Sequence, residues 1–236
     1  MSKGKTFVTE ASALVLFDID GTLIRRAGPH HREALVDAVR AVTGLETTTE
    51  HIPVHGMLDP EILTRMMRDA RATRAEISRT MPAIIEKAQA LYVRRCPDLH
   101  AKTCPGVKSL LSRLRRRGIP LALVTGNLTR IGWRKMERCG LKEYFRYGAF
   151  AETARDRAGL ARLAIRHARR QGLIRKDASI TLIGDAPSDI LAAKANQARA
   201  VAVHTGISTR DELLSYHPDL LVEDLTSIRL EEIIGL

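Results

Sequence analysis

Five short aliphatic runs, each ended by a polar or glycine-rich turn, constrain this chain more than any other feature. Leu14–Phe17 runs into Asp18, Leu121–Val124 into Thr125-Gly126-Asn127, and Ile180–Ile183 into Gly184-Asp185. Ala200–Val203 runs into His204-Thr205-Gly206, and Leu220–Val222 into Glu223-Asp224. Short runs without polar alternation suit strands buried on both faces, as in a parallel sheet. Helical patterns lie between the later runs. Val107, Leu110, Leu111 and Leu114 share one face, and Leu160, Leu163, Ala164 and Ala168 share another. This order predicts an α/β fold with a doubly wound, Rossmann-like parallel-sheet core.

One interval breaks the alternation. Between the first run and Pro105-Gly106, about 80 residues contain no clear strand. They read as helices carrying Ala34, Leu35, Ala38, Val39 and Val42, then Ile62, Leu63, Met66 and Met67, then Ile84, Ile85, Ala88, Leu91 and Tyr92. Asp59-Pro60-Glu61 looks like a helix start with Pro in the first position and Asp59 as its cap. A βα crossover needs only a dozen or more residues. Residues 24–100 are therefore expected to form an inserted α-helical domain, and residues 1–23 with 101–236 the core domain.

Composition narrows the class. The chain has 236 residues, enough for one large domain or one domain with an insertion. Hydrophobic residues at 44% and charged residues at 28% fit a soluble globular protein. Aromatics at 4% argue against a binder that stacks single-stranded bases on aromatic platforms. Cys96, Cys104 and Cys139 match neither a zinc site nor a disulfide framework, so reduced structural thiols are expected. The N-terminal MSKGKTFVTEAS has no apolar stretch and carries Glu10, which predicts no secretory signal. No apolar run approaches the ~18 residues of a membrane span. The expected location is the cytoplasm.

In an open α/β sheet, ligands bind beyond the carboxyl ends of the strands. The residues ending the runs are thus the candidates. Asp18-Ile19-Asp20-Gly21-Thr22 sets two carboxylates at one strand end, Thr125-Gly126-Asn127 follows another, and Gly184-Asp185-Ala186-Pro187-Ser188-Asp189 follows a third. Asp is poorly suited to strand interiors, although Asp and Gly are also ordinary turn residues.

These three segments, in this order, resemble motifs I, II and IV of the haloacid dehalogenase superfamily: D-x-D-G-T, a Thr or Ser ending the second core strand, and G-D-x-x-x-D. The helical insertion just after the first motif resembles that family's C1-type cap. The resemblance covers nearly the whole chain and implies a phosphoric monoester hydrolase. It implies Asp18 as the nucleophile that forms an aspartyl-phosphate, and Asp20 as the acid and base. Thr125 would bond a phosphoryl oxygen, helped by backbone N–H groups near Ile19 and Gly126. The implied cofactor is Mg²⁺, held by the Asp18 side chain, the Asp20 carbonyl and Asp185, with Asp189 acting through water or behind them. The third motif is a basic residue, Lys before Pro in most relatives. Here the matching stretch is Ala151-Glu152-Thr153-Ala154-Arg155-Asp156-Arg157, and Arg157 is the choice, with Arg155 second. Guanidinium binds phosphate bidentately, with a geometry unlike that of Lys.

His55-Gly56-Met57-Leu58-Asp59-Pro60 resembles a cap loop of phosphoglycolate-phosphatase-like members, with Leu58 in place of their hydroxyl residue. Gly56, Asp59, Gly126 and Asn127 are the expected substrate-binding positions. Arg25, Arg26, His30 and His31 stand where an anionic substrate could be attracted. Asp20 argues against a haloalkanoate dehalogenase, since those members typically lack the second Asp. The absence of Lys from residues 24–86 argues against phosphonate hydrolysis through a cap Schiff base. A sugar-phosphate mutase also uses two Asp residues and stays open.

The net charge of +11 is uneven. Arg162, Arg166 and Arg170 recur at one helical spacing, and Arg113, Arg115, Arg116 and Arg117 cluster, whereas the segment from Asp211 is acidic. A solvated face, or one balanced by a second subunit in a homodimer, competes with nucleic-acid docking. No nucleic-acid motif accompanies the charge. The expected partner is a small phosphorylated metabolite, without a membrane. The alternative is a nucleic-acid-associated or regulatory module with phosphatase activity secondary or lost.

Overall fold

The computed structural model describes residues 10–25 and 28–235. Six parallel strands form one sheet in the order β3-β2-β1-β4-β5-β6. They are β1 (Ala11–Phe17), β2 (Leu121–Val124), β3 (Tyr147–Ala149), β4 (Ile174–Gly184), β5 (Arg199–Val203) and β6 (Leu220–Val222). All five aliphatic runs are strands, and the α/β doubly wound core is the observed architecture. β1 and β2 are buried along nearly their whole length because helices cover both faces of the sheet. Helices α4 (Val107–Arg116), α5 (Thr129–Arg138), α6 (Arg157–Arg170) and α7 (Pro187–Ala195) make the crossovers.

Two elements lie outside the sequence expectation. β3 is three residues of Tyr-Gly-Ala on the sheet edge, too short and too glycine-rich to form an aliphatic run. α5 buries only Ile131, Gly132, Lys135 and Met136, so its apolar stripe is interrupted by glycine and a charged residue.

Between β1 and α4 stand three helices, α1 (His30–Thr43), α2 (Asp59–Asp69) and α3 (Arg74–Arg95). α3 begins in a reciprocal cap: Glu76 N–H donates to Thr73 Oγ1 at 3.2 Å, and Thr73 N–H donates to Glu76 Oε2 at 2.8 Å. The chain enters and leaves this insertion side by side. Arg25 N–H donates to the Lys102 carbonyl at 2.7 Å, and Cys104 N–H to the Leu23 carbonyl at 3.0 Å. The two crossing segments pair antiparallel at Ile24 and Thr103. The start of α2 differs from expectation. Its cap is Leu58, whose side chain makes no capping hydrogen bond, and Pro60 is the second helical residue. Asp59 does not cap its own helix, because its carboxylate is engaged on the sheet side.

The three cysteines are free thiols and all are buried. Among the described residues, no helix is long and apolar enough to cross a membrane. Arg26 lies outside the described residues.

Candidate active site

The strand order turns at β1, with β2 on one side and β4 on the other, so the turns after these three strands converge. Asp18 leaves β1, Thr125 leaves β2, and Asp185 leaves β4. All three are buried. Asp189 joins them from the first turn of α7. Its Oδ2 accepts the Ala186 N–H at 3.1 Å and its Oδ1 faces Arg157 Nη1 at 2.8 Å. One oxygen from each of Asp18, Asp185 and Asp189 lies within 4.8 Å of the others.

Arg157 is the first residue of α6, whose cap Asp156 accepts the Gly159 N–H at 2.7 Å. That cap fixes the helix start and drives the guanidinium inward. Arg157 is 6% exposed and its Nη1 also stands 2.9 Å from Asp18 Oδ1. Arg155 is exposed to solvent and outside the cluster.

The turn after β1 depends on Gly21, which has φ +86°. A Cβ there would lie 2.1 Å from Asp185 Oδ2, so only glycine lets the turn pass against that carboxylate. Thr22 Oγ1 donates to Asp185 Oδ1 at 3.1 Å. Asp185 Oδ2 is buried and accepts no hydrogen bond among the described residues, and Asp18 Oδ1 has only its ion pair with Arg157. Three acids facing one guanidinium leave excess negative charge. Burial, with the charges on Asp18 and Asp189, raises the Asp185 carboxyl well above its ordinary range. Burial and the Asp18 charge push Asp189 up to about 7, although Arg157 opposes them. Arg157 itself is pushed above its usual value: burial acts against its charge, and Asp189 and Asp18 outweigh it. An oxygen-only donor set of three clustered carboxylates, one oxygen of it unpaired, suits a hard divalent cation.

The Asp20 side chain turns away from this cluster. Its Oδ2 accepts from Lys135 Nζ at 2.5 Å and from Asn127 Nδ2 at 2.8 Å. Burial would raise the Asp20 carboxyl, but the Lys135 charge and the hydrogen bonds from Lys135 and Asn127 outweigh it and hold it low. Asn127 Nδ2 also donates to Thr125 Oγ1 at 2.8 Å. Lys135 is not among the sequence candidates, yet it is 1% exposed and in the site. The available signal is a lysine at the i+4 position from Ile131, on a helix face that is otherwise apolar.

The insertion closes over these groups. Asp59 N–H donates to the Gly126 carbonyl at 2.8 Å, and Leu128 N–H donates to Asp59 Oδ2 at 2.8 Å. The close approach needs Gly126, since a Cβ there would sit 2.3 Å from the Met57 carbonyl oxygen. Gly56, at φ +71°, seats the same loop beside Ser188. His55 Nε2 meets Ser208 Oγ at 3.1 Å and stands 3.8 Å from Asp185 Oδ2, with burial lowering its pKa. A cavity of about 510 Å³ remains, bounded by Asp18, Asp20, Arg157 and Asp185 below and by His31 and Met57 above. Of the expected positions, Gly56, Asp59, Gly126 and Asn127 all line it.

The acid cluster predicts a measurable pH response. In the unfolded chain Asp185 and Asp189 titrate near ~4, and in the folded chain higher. Between those values the folded state holds more protons, so stability falls as pH rises through that window. Without divalent cation, the melting temperature should therefore drop between about pH 5.5 and about pH 8. Millimolar Mg²⁺ should raise it by about 3 °C or more at the higher pH and by less at the lower. Thermal melts in EDTA and in Mg²⁺ check this, and a cation gain independent of pH would remove the cluster as the site.

A family model described as haloacid dehalogenase-like hydrolase matches residues 13–196. The chain is 27% identical over 229 residues to phosphoglycolate phosphatase 1 of Pseudomonas aeruginosa, covering 94% of this chain and 80% of that protein. Its fold is similar to that of CbbY from Rhodobacter sphaeroides in complex with phosphate, with a TM-score of 0.72, 21% identity, and 96% and 100% of the two chains covered. It is also similar to that of a β-phosphoglucomutase from Clostridium difficile, with a TM-score of 0.68, 18% identity, and 94% and 95% covered. The last two likenesses concern the fold alone.

Proposed function

The chain belongs to the haloacid dehalogenase-like hydrolases, and from that premise we propose that it is a phosphatase that hydrolyses a small phosphomonoester through an aspartyl-phosphate, with Mg²⁺ as cofactor. The observation that carries this reading is the convergence of Asp18 and Asp185 from adjacent strand ends with Asp189 and Arg157 from two helix starts, with Asp20 beside them. The clustered oxygens of Asp18, Asp185 and Asp189, with Asp185 Oδ2 unpaired, support Mg²⁺ held by the Asp18 and Asp185 side chains and the Asp20 carbonyl, with Asp189 behind. When bound, the cation offsets the charge of the carboxylates and of the phosphoryl oxygens.

The remaining work falls to the chain's own side chains. An Asp18 oxygen attacks phosphorus as the bond to the leaving oxygen breaks. Asp20, carrying a proton at that moment, passes it to the departing alkoxide. The Thr125 hydroxyl and the backbone N–H groups near Ile19 and Gly126 hold phosphoryl oxygens. Arg157 fixes the Asp18 carboxylate and faces the phosphate. Asp20, now ionised, takes a proton from water, whose oxygen attacks phosphorus and releases Asp18 and phosphate. The depressed pKa of Asp20 favours the ionised form that the second step needs and opposes the protonated form that the first step needs.

Residues 24–100 act in this reading as the cap that shuts the cavity from bulk water. Phosphoglycolate is the first substrate to try, given the name of the Pseudomonas aeruginosa relative. The test is p-nitrophenyl phosphate turnover with Mg²⁺ and with EDTA, followed by a screen of phosphorylated metabolites. Mg²⁺-dependent release of nitrophenolate is expected. A folded protein with no turnover in Mg²⁺ would sink the reading.

A further inference from the structure

Asp20 alone of the four acids is held by a buried ammonium. Lys135 Nζ has three donors and three partners: Asp20 Oδ2 at 2.5 Å, Asn127 Oδ1 at 2.6 Å and His31 Nδ1 at 3.2 Å. An ammonium only donates, so His31 Nδ1 accepts and the ring proton sits on Nε2. Nε2 then donates to Asp59 Oδ2 at 3.0 Å, the oxygen that also accepts the Leu128 N–H. Asp20 and Lys135 belong to the sheet side, whereas His31 and Asp59 belong to the helical insertion. The ammonium also stands 5.8 Å from the centre of the buried Tyr92 ring, so apolar surface confines it. A lysine buried in this way costs free energy unless its partners are fixed. Each partner here is fixed by a second contact.

We propose that Lys135 is a positioning residue that aims the Asp20 carboxylate at the leaving oxygen, and that His31 completes it when the insertion closes. The inference rests on the reading of Asp20 as the proton-transfer group. In that step the proton leaves Asp20 for the alkoxide oxygen as the phosphorus–oxygen bond breaks, and Lys135 keeps its own three hydrogens. A carboxylate on a flexible side chain delivers a proton efficiently only when it is held in one orientation. Lys135 and Asn127 together leave Asp20 a single oxygen, Oδ1, without a hydrogen bond from either of them.

The experiment compares two substrates in kcat/KM, which reports steps through loss of the leaving group. Propyl phosphate releases an alkoxide, which needs the proton, whereas p-nitrophenyl phosphate releases a stable phenolate, which needs it little. Lys135→Met should lower kcat/KM for propyl phosphate by about tenfold or more, and for p-nitrophenyl phosphate by about threefold or less. Lys135→Arg should recover part of the alkyl activity. His31→Ala should lower the same alkyl-to-aryl ratio, and should change it little further when added to Lys135→Met, because the two act as one unit. Should Lys135→Met fail to fold, Lys135→Gln, which keeps a hydrogen bond to Asn127 without the charge, is read by the same ratio.

Equal losses on both substrates would overturn the inference, since a structural, phosphate-binding or cation-binding role acts on both alike. An unchanged ratio would overturn it as well. A native protein that hydrolyses neither phosphate would instead fail the phosphatase reading, before any variant is compared.

Discussion

Asp18→Asn is expected to abolish turnover and to raise, not lower, the melting temperature of the cation-free protein. The first half follows from the nucleophile's role proposed for Asp18: an amide oxygen would not form the acyl phosphate, and kcat should fall at least about 10⁴-fold. The second half follows from the cluster. Asp18 faces two other buried carboxylates and a single guanidinium. Its charge is a cause of the raised pKa of both Asp185 and Asp189. Removing that charge relieves repulsion, while the Asn oxygen keeps a partner for Arg157. The gain should be about 2 °C or more in EDTA near pH 8. The same variant should gain less from Mg²⁺, because one of the proposed ligand oxygens becomes neutral. Melts in EDTA and in Mg²⁺, beside a turnover assay, separate the two effects. Appreciable turnover would move the nucleophile elsewhere, and a lower melting temperature in EDTA would mean that Asp18 is a net stabilising charge.

Most of the sheet is legible in the sequence, because strands buried on both faces admit little besides aliphatic residues. Leu14–Phe17 and Leu121–Val124 have no alternative environment as rich in apolar neighbours. β3 escapes this logic, because an edge strand of Tyr147, Gly148 and Ala149 is specified by pairing to β2 and not by its own composition. The acids of the site are readable for the opposite reason: Asp after an aliphatic run is costly unless the site uses it. Arg157 is readable only from chain order, and its separation from Arg155 needs the helix cap at Asp156. Lys135 is hidden, because a lone lysine on a basic chain attracts no notice, and only its place on an apolar helix face sets it apart. Asp59 misleads in a similar way. Asp before Pro looks like a cap, but the chain uses the carboxylate to tie α2 to Leu128 across the cleft. Local propensity does not encode that long-range partner.

Arg157→Ala should cost activity and stability together, which distinguishes it from Asp18→Asn. The guanidinium is buried between Asp18 and Asp189, and its loss leaves both carboxylates without a cation. Breaking a buried pair from one side costs about 3–5 kcal/mol when the remaining charge stays ionised. Here the remaining groups can take up protons, since burial already pushes Asp189 up to about 7. The loss should therefore be largest at about pH 8 and shrink toward about pH 5.5, because protonation replaces the missing cation in the folded state. Mg²⁺ should recover part of it. Arg157→Lys should behave differently. Both ion pairs are made by the one nitrogen Nη1, and the guanidinium Nε is buried without a partner. A point charge that reaches the Nη1 position would keep both pairs and remove an unsatisfied donor. Urea unfolding at the two pH values should place the Arg157→Lys variant within about 1 kcal/mol of the native chain, with turnover within about tenfold. If this variant fares no better than Arg157→Ala, the forked shape of the guanidinium matters here and not its charge, and Nη2 beside Gly126 becomes the atom that meets the phosphate.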